Sequence, residues 1–139
     1  MTAEENIATL RRSIQAVNDR DLSIASQLIA PGFVRHDLAG AYKEVKGLEE
    51  VTNYIQLVFK ALPDAQVKVE DIFATEKRGA LRITVSGTHQ GEFLGTAPTG
   101  KNVEYNQINL YRFEEGKIAE TWQLMDVAGF MRQIGALTT

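Results

Sequence analysis

The stretch "QINLYRFEEGKIAETWQLMD", residues 107–126, alternates in polarity on both sides of "EEGK" and reads as two strands joined by a tight turn. In the first strand, expected over 102–113, the odd positions are Val103, Tyr105, Gln107, Asn109, Tyr111 and Phe113, and the even ones Glu104, Asn106, Ile108, Leu110 and Arg112. In the second, expected over 117–125, Ala119, Thr121, Gln123 and Met125 share one face, and Ile118, Glu120, Trp122 and Leu124 the other. A bulky aromatic face thus has amides at its centre, and a buried amide without a partner costs ~1–3 kcal/mol. Either a cavity holds water or ligand against Gln107, Asn109, Thr121 and Gln123, or these side chains lie on a solvated or dimer face or satisfy one another.

Upstream the same period-2 signal recurs. "AQVKVEDIFATE" alternates Val67, Val69 and Phe73 against Gln66, Lys68 and Glu70, and "GALRITVSGTHQGEF" alternates Leu81, Ile83 and Val85 against Arg82, Thr84 and Ser86. These are two long strands between about 66 and 91, turning at Lys77-Arg78-Gly79. Before Pro63 the period is helical. Ile7, Leu10, Ile14 and Val17 stripe a first helix within 3–19; Asp21 can cap a second carrying Leu22, Ile24, Ala25, Leu28 and Ile29 up to Pro31-Gly32; Leu48, Val51, Tyr54, Ile55, Val58, Phe59 and Leu62 mark a third. "FVRHDLAG" is a short strand or an extended lead into a loop, and "DVAGFMRQIGAL" a last short helix with Asp126 at its N-cap. Three helices followed by a meander of long strands is an α+β layout in which a curved antiparallel sheet wraps the helices as a cone.

The 139 residues suit one domain, 1–139, without repeats or linkers, and 44% hydrophobic with 24% charged residues is an ordinary globular balance. Fifteen Lys+Arg against 18 Asp+Glu give a net charge of −3 with no basic block, so no nucleic-acid partner is expected. Zero cysteines exclude disulfides, thiolate nucleophiles and Cys-based zinc sites. The N-terminus is acidic and amphipathic, and no run approaches the ~18 apolar residues of a membrane span, so the expectation is a cytoplasmic protein. No GxGxxG, P-loop, GxSxG or HExxH occurs, and two isolated His make a poor metal site; no metal or cofactor is expected.

"HQGEFLG" and "PTGK" in the loop after the second long strand, "YRFEEGKIAETW" across the hairpin and "MRQIG" near the end resemble the SnoaL-like polyketide cyclases, a branch of the nuclear-transport-factor-two-like superfamily. The resemblance covers the chain in order and length and is most specific over residues 87–135. It implies a cone-shaped α+β barrel, a homodimer packed through the outer sheet face, and an apolar pocket for a small hydrophobic molecule. Cyclases of this type perform an intramolecular aldol condensation without metal or cofactor. An Asp on the last strand is the acid/base, aided by a His and a Gln on the strand before.

Carried over position by position, the Gln falls on Gln107, the His on Asn109 and the Asp on Gln123. Amides hydrogen-bond an enolate but exchange no proton near neutral pH. A substitute base is therefore required, or none is. His36 in "FVRHD" is the first choice, because imidazole titrates near neutrality; the alternative is that it packs at the pocket mouth. Arg35, Tyr54, Phe59, Tyr105, Thr121 and Met125 are the expected substrate-binding residues, although aromatics at such spacings also serve as core, as do Trp122, Tyr111 and Phe113. His89 is expected to order its loop and Glu120 to pair with Arg112. Two classes follow: a cofactor-independent enzyme acting on a hydrophobic carbonyl compound (cyclase, or hydroxylase or isomerase), and a binding protein with a vestigial site. Epoxide hydrolysis is disfavoured, since the Asp-Arg-Asp arrangement is missing from the last strands.

Overall fold

The computed structural model describes residues 1–137 and runs α1 (Ala3–Asn18), α2 (Ala25–Leu28), β1 (Ile29–Asp37), β2 (Val45–Lys46), α3 (Gly47–Ala61), β3 (Gln66–Ala74), β4 (Arg78–Thr88), β5 (Asn102–Glu114), β6 (Lys117–Met125) and α4 (Val127–Gln133). The strands form one curved, unclosed sheet in the order β2-β1-β6-β5-β4-β3, so the expected barrel is an open cone. Its pairs are antiparallel except β1 with β6, which is parallel. That one parallel pair brings a strand from the N-terminal half beside the last strand.

Local chemistry explains the element ends. Thr2 and Glu5 make a reciprocal capping box that starts α1. Asp126 accepts from the Gly129 amide at 2.9 Å to start α4, and a Cβ on Gly129 would collide with that carboxylate. The β5–β6 hairpin turns at Glu115 (φ 49°) and Gly116 (φ 76°), the two positive-φ positions that a type I′ turn needs. The core on the concave side gathers Leu10, Leu62, Leu81, Ile83, Val103, Tyr105, Phe130 and Ile134, all buried.

Four expectations need correction. The second helix is a single turn, because Ile29 already pairs with Ile118 in the sheet and Asp21 closes on the Ser23 amide at 3.0 Å instead of capping a longer helix. Pro31 and Gly32 lie exposed within β1, where the register shifts between Ile29 and Val34, a place where a missing N–H is tolerated. The β3–β4 turn falls at 75–77, held by the Thr75 hydroxyl accepting from the Lys77 and Arg78 amides, while Arg78 and Gly79 are already in β4. Two bulges change the faces. A register shift between Val69 and Asp71 turns Ile72 inward and leaves Phe73 65% exposed, and a shift between Arg112 and Phe113 buries Ile118 beside Ala119.

Candidate active site

Between the concave face and the helices lies a cavity of about 230 Å³. Apolar side chains make most of its wall: Ile14 and Val17 of α1, Leu28 of α2, Val51, Ile55, Val58 and Phe59 of α3, and Ile83, Val85 and Met125 from the sheet. The hairpin supplies a polar floor. Asn109 and Gln123 are opposite each other in the β5–β6 register, Tyr111 faces Thr121, and Gln107 faces Met125, all lining the cavity. Alternation along an antiparallel pair compels this, since residues directly opposite share a face.

The polar groups form two connected sets. Along β5, Gln107 Nε2 donates to Asn109 Oδ1 at 3.1 Å and Asn109 Nδ2 donates to the Tyr111 hydroxyl at 2.9 Å. Across β1, β6 and α3, Arg35 Nε donates to Gln123 Oε1 at 2.7 Å and Arg35 Nη2 to the Tyr54 hydroxyl at 2.9 Å, with the guanidinium carbon 3.9 Å from the centre of the Tyr54 ring. Arg35 is 4% exposed, and its Nη1 has no hydrogen-bond partner among the described residues. It owes its place to the parallel pairing, which sets Arg35 beside Thr121 and Asp37 beside Gln123.

Burial pushes the cavity tyrosines up: Tyr111 to about 12, against the Asn109 hydrogen bond that pulls it down, and Tyr105 further still. Tyr54 is raised too, chiefly by burial and despite the Arg35 charge beside it. All three are therefore hydroxyl groups at neutral pH, able to donate but not to act as phenolate bases. Asp21, the one carboxylate among the described lining residues, is held below its ordinary value by the Ser23 hydroxyl and amide.

His36 does not join them. One residue on from Arg35, it points to the opposite sheet face, where Nε2 lies 2.6 Å from Glu120 Oε2, Nδ1 lies 3.4 Å from Glu44, and the ring stacks on Trp122 at 5.6 Å. The reason is strand parity: with Arg35 inward, His36 must face outward. Trp122 likewise belongs to the outer face, under Arg78 at 5.0 Å, and Phe113 is core beside Tyr111. Glu120 accepts from Arg112 at 3.1 Å as expected and from His36 in addition. The other expected residues, Gln107, Asn109, Gln123, Arg35, Tyr54, Phe59, Tyr105, Thr121 and Met125, all line the cavity.

His89 is fully buried outside it. The Thr99 amide donates to His89 Nδ1 at 3.3 Å, the ring meets Phe130 edge-on, and the backbone pairs His89–Lys101 and Gly100–His89 close the 89–101 loop. Gly91 packs so tightly on α3 that a Cβ would sit 2.2 Å from the Lys60 carbonyl oxygen, which accounts for the glycine in "HQGEF". Among the described residues, no three His, Asp or Glu gather as a metal-binding group, and no helix is long and apolar enough to cross a membrane.

The chain is thus an open α+β cone with an apolar cavity and a polar floor on its last two strands, and the comparisons with known proteins give the family. A family model described as SnoaL-like polyketide cyclase matches residues 8–134. The aklanonic acid methyl ester cyclase AcmA of Streptomyces galilaeus is 28% identical over 133 residues, covering 94% of this chain and 91% of that protein. The crystal structure of AclR, a proposed hydroxylase from Streptomyces galilaeus, superposes with a TM-score of 0.85 at 34% identity, covering 98% of this chain and 99% of that one. A SnoaL-like protein from Jannaschia sp. CCS1 shares the fold with a TM-score of 0.88 at 22% identity over 97% of this chain and 94% of that one. This chain belongs to the SnoaL-like polyketide cyclase family.

Proposed function

We propose that this protein is a cofactor-independent enzyme that stabilises the enolate of a hydrophobic carbonyl compound in the cavity and directs it to aldol-type ring closure, acting as one domain over 1–139. The observation that carries this reading is Arg35: a buried guanidinium, bonded only to neutral groups, beside amides and hydroxyls at the polar end of an apolar chamber. Fixed donors in a water-poor site are worth most where negative charge develops on oxygen. Gln107, Asn109, Gln123, Tyr54 and Thr121 position the carbonyl oxygens, while Phe59, Tyr105 and Met125 hold the apolar body. The relative named as the aklanonic acid methyl ester cyclase supports a polyketide ester as substrate.

The test is a single-turnover screen of purified protein against a panel of poly-β-carbonyl esters and hydrophobic ketones, read by mass spectrometry. Ring closure of one member supports the proposal; tight binding without chemical change over hours replaces it with a carrier. A second reading, hydroxylation, is favoured by the 34% identity to AclR. It predicts a product that gains one oxygen atom.

The quaternary proposal is a homodimer through the outer sheet face. Ile108, Leu110 and Leu124 are exposed there on adjoining strands, with Phe73 beyond them on β3. Such a contiguous apolar surface is typical of an interface. A monomer at all concentrations in analytical ultracentrifugation contradicts it.

A further inference from the structure

We propose that the cavity takes its substrate as the enolate of an acidic 1,3-dicarbonyl compound, with Arg35 as the counter-ion, so that no side chain of the protein serves as the C–H base. The inference rests on the function proposed above and specifies its substrate class and its first step.

The three contacts of the Arg35 guanidinium are a carbonyl oxygen, a hydroxyl and an aromatic ring, and Nη1 has none among the described residues. A buried cation without an anion is costly, and a ligand of opposite charge removes much of that cost. Among the described residues no carboxylate is hydrogen-bonded or ion-paired to Arg35. Asp37, next inward on β1, accepts from the Ala39 amide at 3.0 Å and the Tyr42 amide at 2.8 Å. Glu44 and Glu120 lie against His36 on the outer side, and Asp21 holds Ser23. The other ionisable groups around Arg35 are Tyr54 from α3, Tyr111 from β5 and Tyr42 from the loop after β1.

None of the groups bonded to Arg35, nor the amides and hydroxyls of the β5–β6 floor, supplies a base. Tyr54 and Tyr111 are kept protonated by burial, and Gln123, Asn109 and Gln107 exchange no proton. A carbon between two carbonyl groups needs little help, because its C–H bond is already acidic and a fixed positive charge beside the oxygens acidifies it further. The C–H bond breaks in solution before entry, its proton passing to solvent water, and the electron pair spreads over the two carbonyl oxygens that Arg35 and its neighbours then hold. Nothing is oxidised or reduced. The resulting carbanion carbon is the nucleophile for ring closure.

Benzoylacetone, whose enolate absorbs apart from its neutral form, is the probe, with its gem-dimethyl analogue, which has no acidic C–H, as the control. At the pH where free benzoylacetone is half ionised, the compound bound to wild type should show an enolate-to-neutral ratio at least about tenfold higher. Arg35→Gln should return that ratio to the free value, and Arg35→Lys should keep part of the gain. The gem-dimethyl analogue should bind wild type and Arg35→Gln alike, reporting an intact cavity. A bound ratio at or below the free value, with the analogue still bound, overturns this inference and leaves the enolate-stabilising pocket standing. Failure of both compounds to bind overturns the pocket reading as well. Should Arg35→Gln not fold, the wild-type titration alone decides.

Discussion

Arg35 and His36 are adjacent on β1 and end in opposite environments. The arginine enters a largely apolar cavity and bonds only to neutral groups, whereas the histidine lies on the outer sheet face between two carboxylates and an indole. The same division runs through the hairpin: Asn109, Tyr111, Thr121 and Gln123 look inward, and Ile108, Leu110, Trp122 and Leu124 look outward. Polar groups sit inside and apolar ones outside, the reverse of what burial alone favours. Such an inversion is what the proposed ligand site on one side and the proposed dimer contact on the other would require.

The largest effect expected from breaking this division is on stability. Leu81, 1% exposed on the inner face, is cut back in Leu81→Ala at a cost of about 2–5 kcal/mol in chemical denaturation. Leu110, 43% exposed on the outer face of the neighbouring strand, should cost the folded monomer only about 0.5 kcal/mol as Leu110→Ala. Its Leu110→Glu variant should shift sedimentation toward monomer if that face is the dimer contact. Equal destabilisation by both alanine variants contradicts the assignment of faces.

A second effect concerns the charge in the chamber. Gln123→Glu sets a carboxylate where an amide oxygen now lies 2.7 Å from Arg35 Nε, so the cation acquires an internal partner. Affinity for an ionised 1,3-diketone, measured by calorimetry, should fall by at least about tenfold, or ~1.4 kcal/mol. Unchanged affinity means that the guanidinium is not the group that holds the anion.

The smallest effect is on the outer face. Hydrogen bonds from His36 first and Arg112 second hold the Glu120 carboxyl below its ordinary value of 4.5. Because the folded value is the lower one, the stabilisation is complete above 4.5 and is lost as the pH falls through the depressed value. Glu120→Gln should therefore melt with a shallower pH dependence than wild type in that acid window.

Much of this was legible in the sequence. The hairpin was readable because Gly116 permits the positive-φ turn and the period-2 pattern runs unbroken through 103–111, so the polar floor could be named residue by residue. Legibility stopped where a single residue changes parity. The bulges near Glu70 and Ala119 leave no composition signal, and they reversed the faces of Phe73 and Ile118. The side chosen for the site, His36 rather than Arg35, was wrong for a related reason: a nine-residue strand containing Pro-Gly gives only a weak local clue to which side meets the helices, and its parallel pairing to β6 decides. A signal was available in hindsight, since Phe33 and Arg35 share parity and Phe33 is the bulky apolar residue of that strand.

If the inner face carries the chemistry, Arg35 matters to the rate and His36 does not. Wild type, Arg35→Met and His36→Ala should be compared in one single-turnover assay on whichever poly-β-carbonyl compound the protein cyclises. Arg35→Met is expected to lose about 100- to 1,000-fold in rate, the scale of removing one oxyanion donor, while His36→Ala stays within about twofold of wild type, as a surface change does. A large loss in His36→Ala together with a near-wild-type Arg35→Met would contradict it, and would move the reacting group to the other side of the sheet.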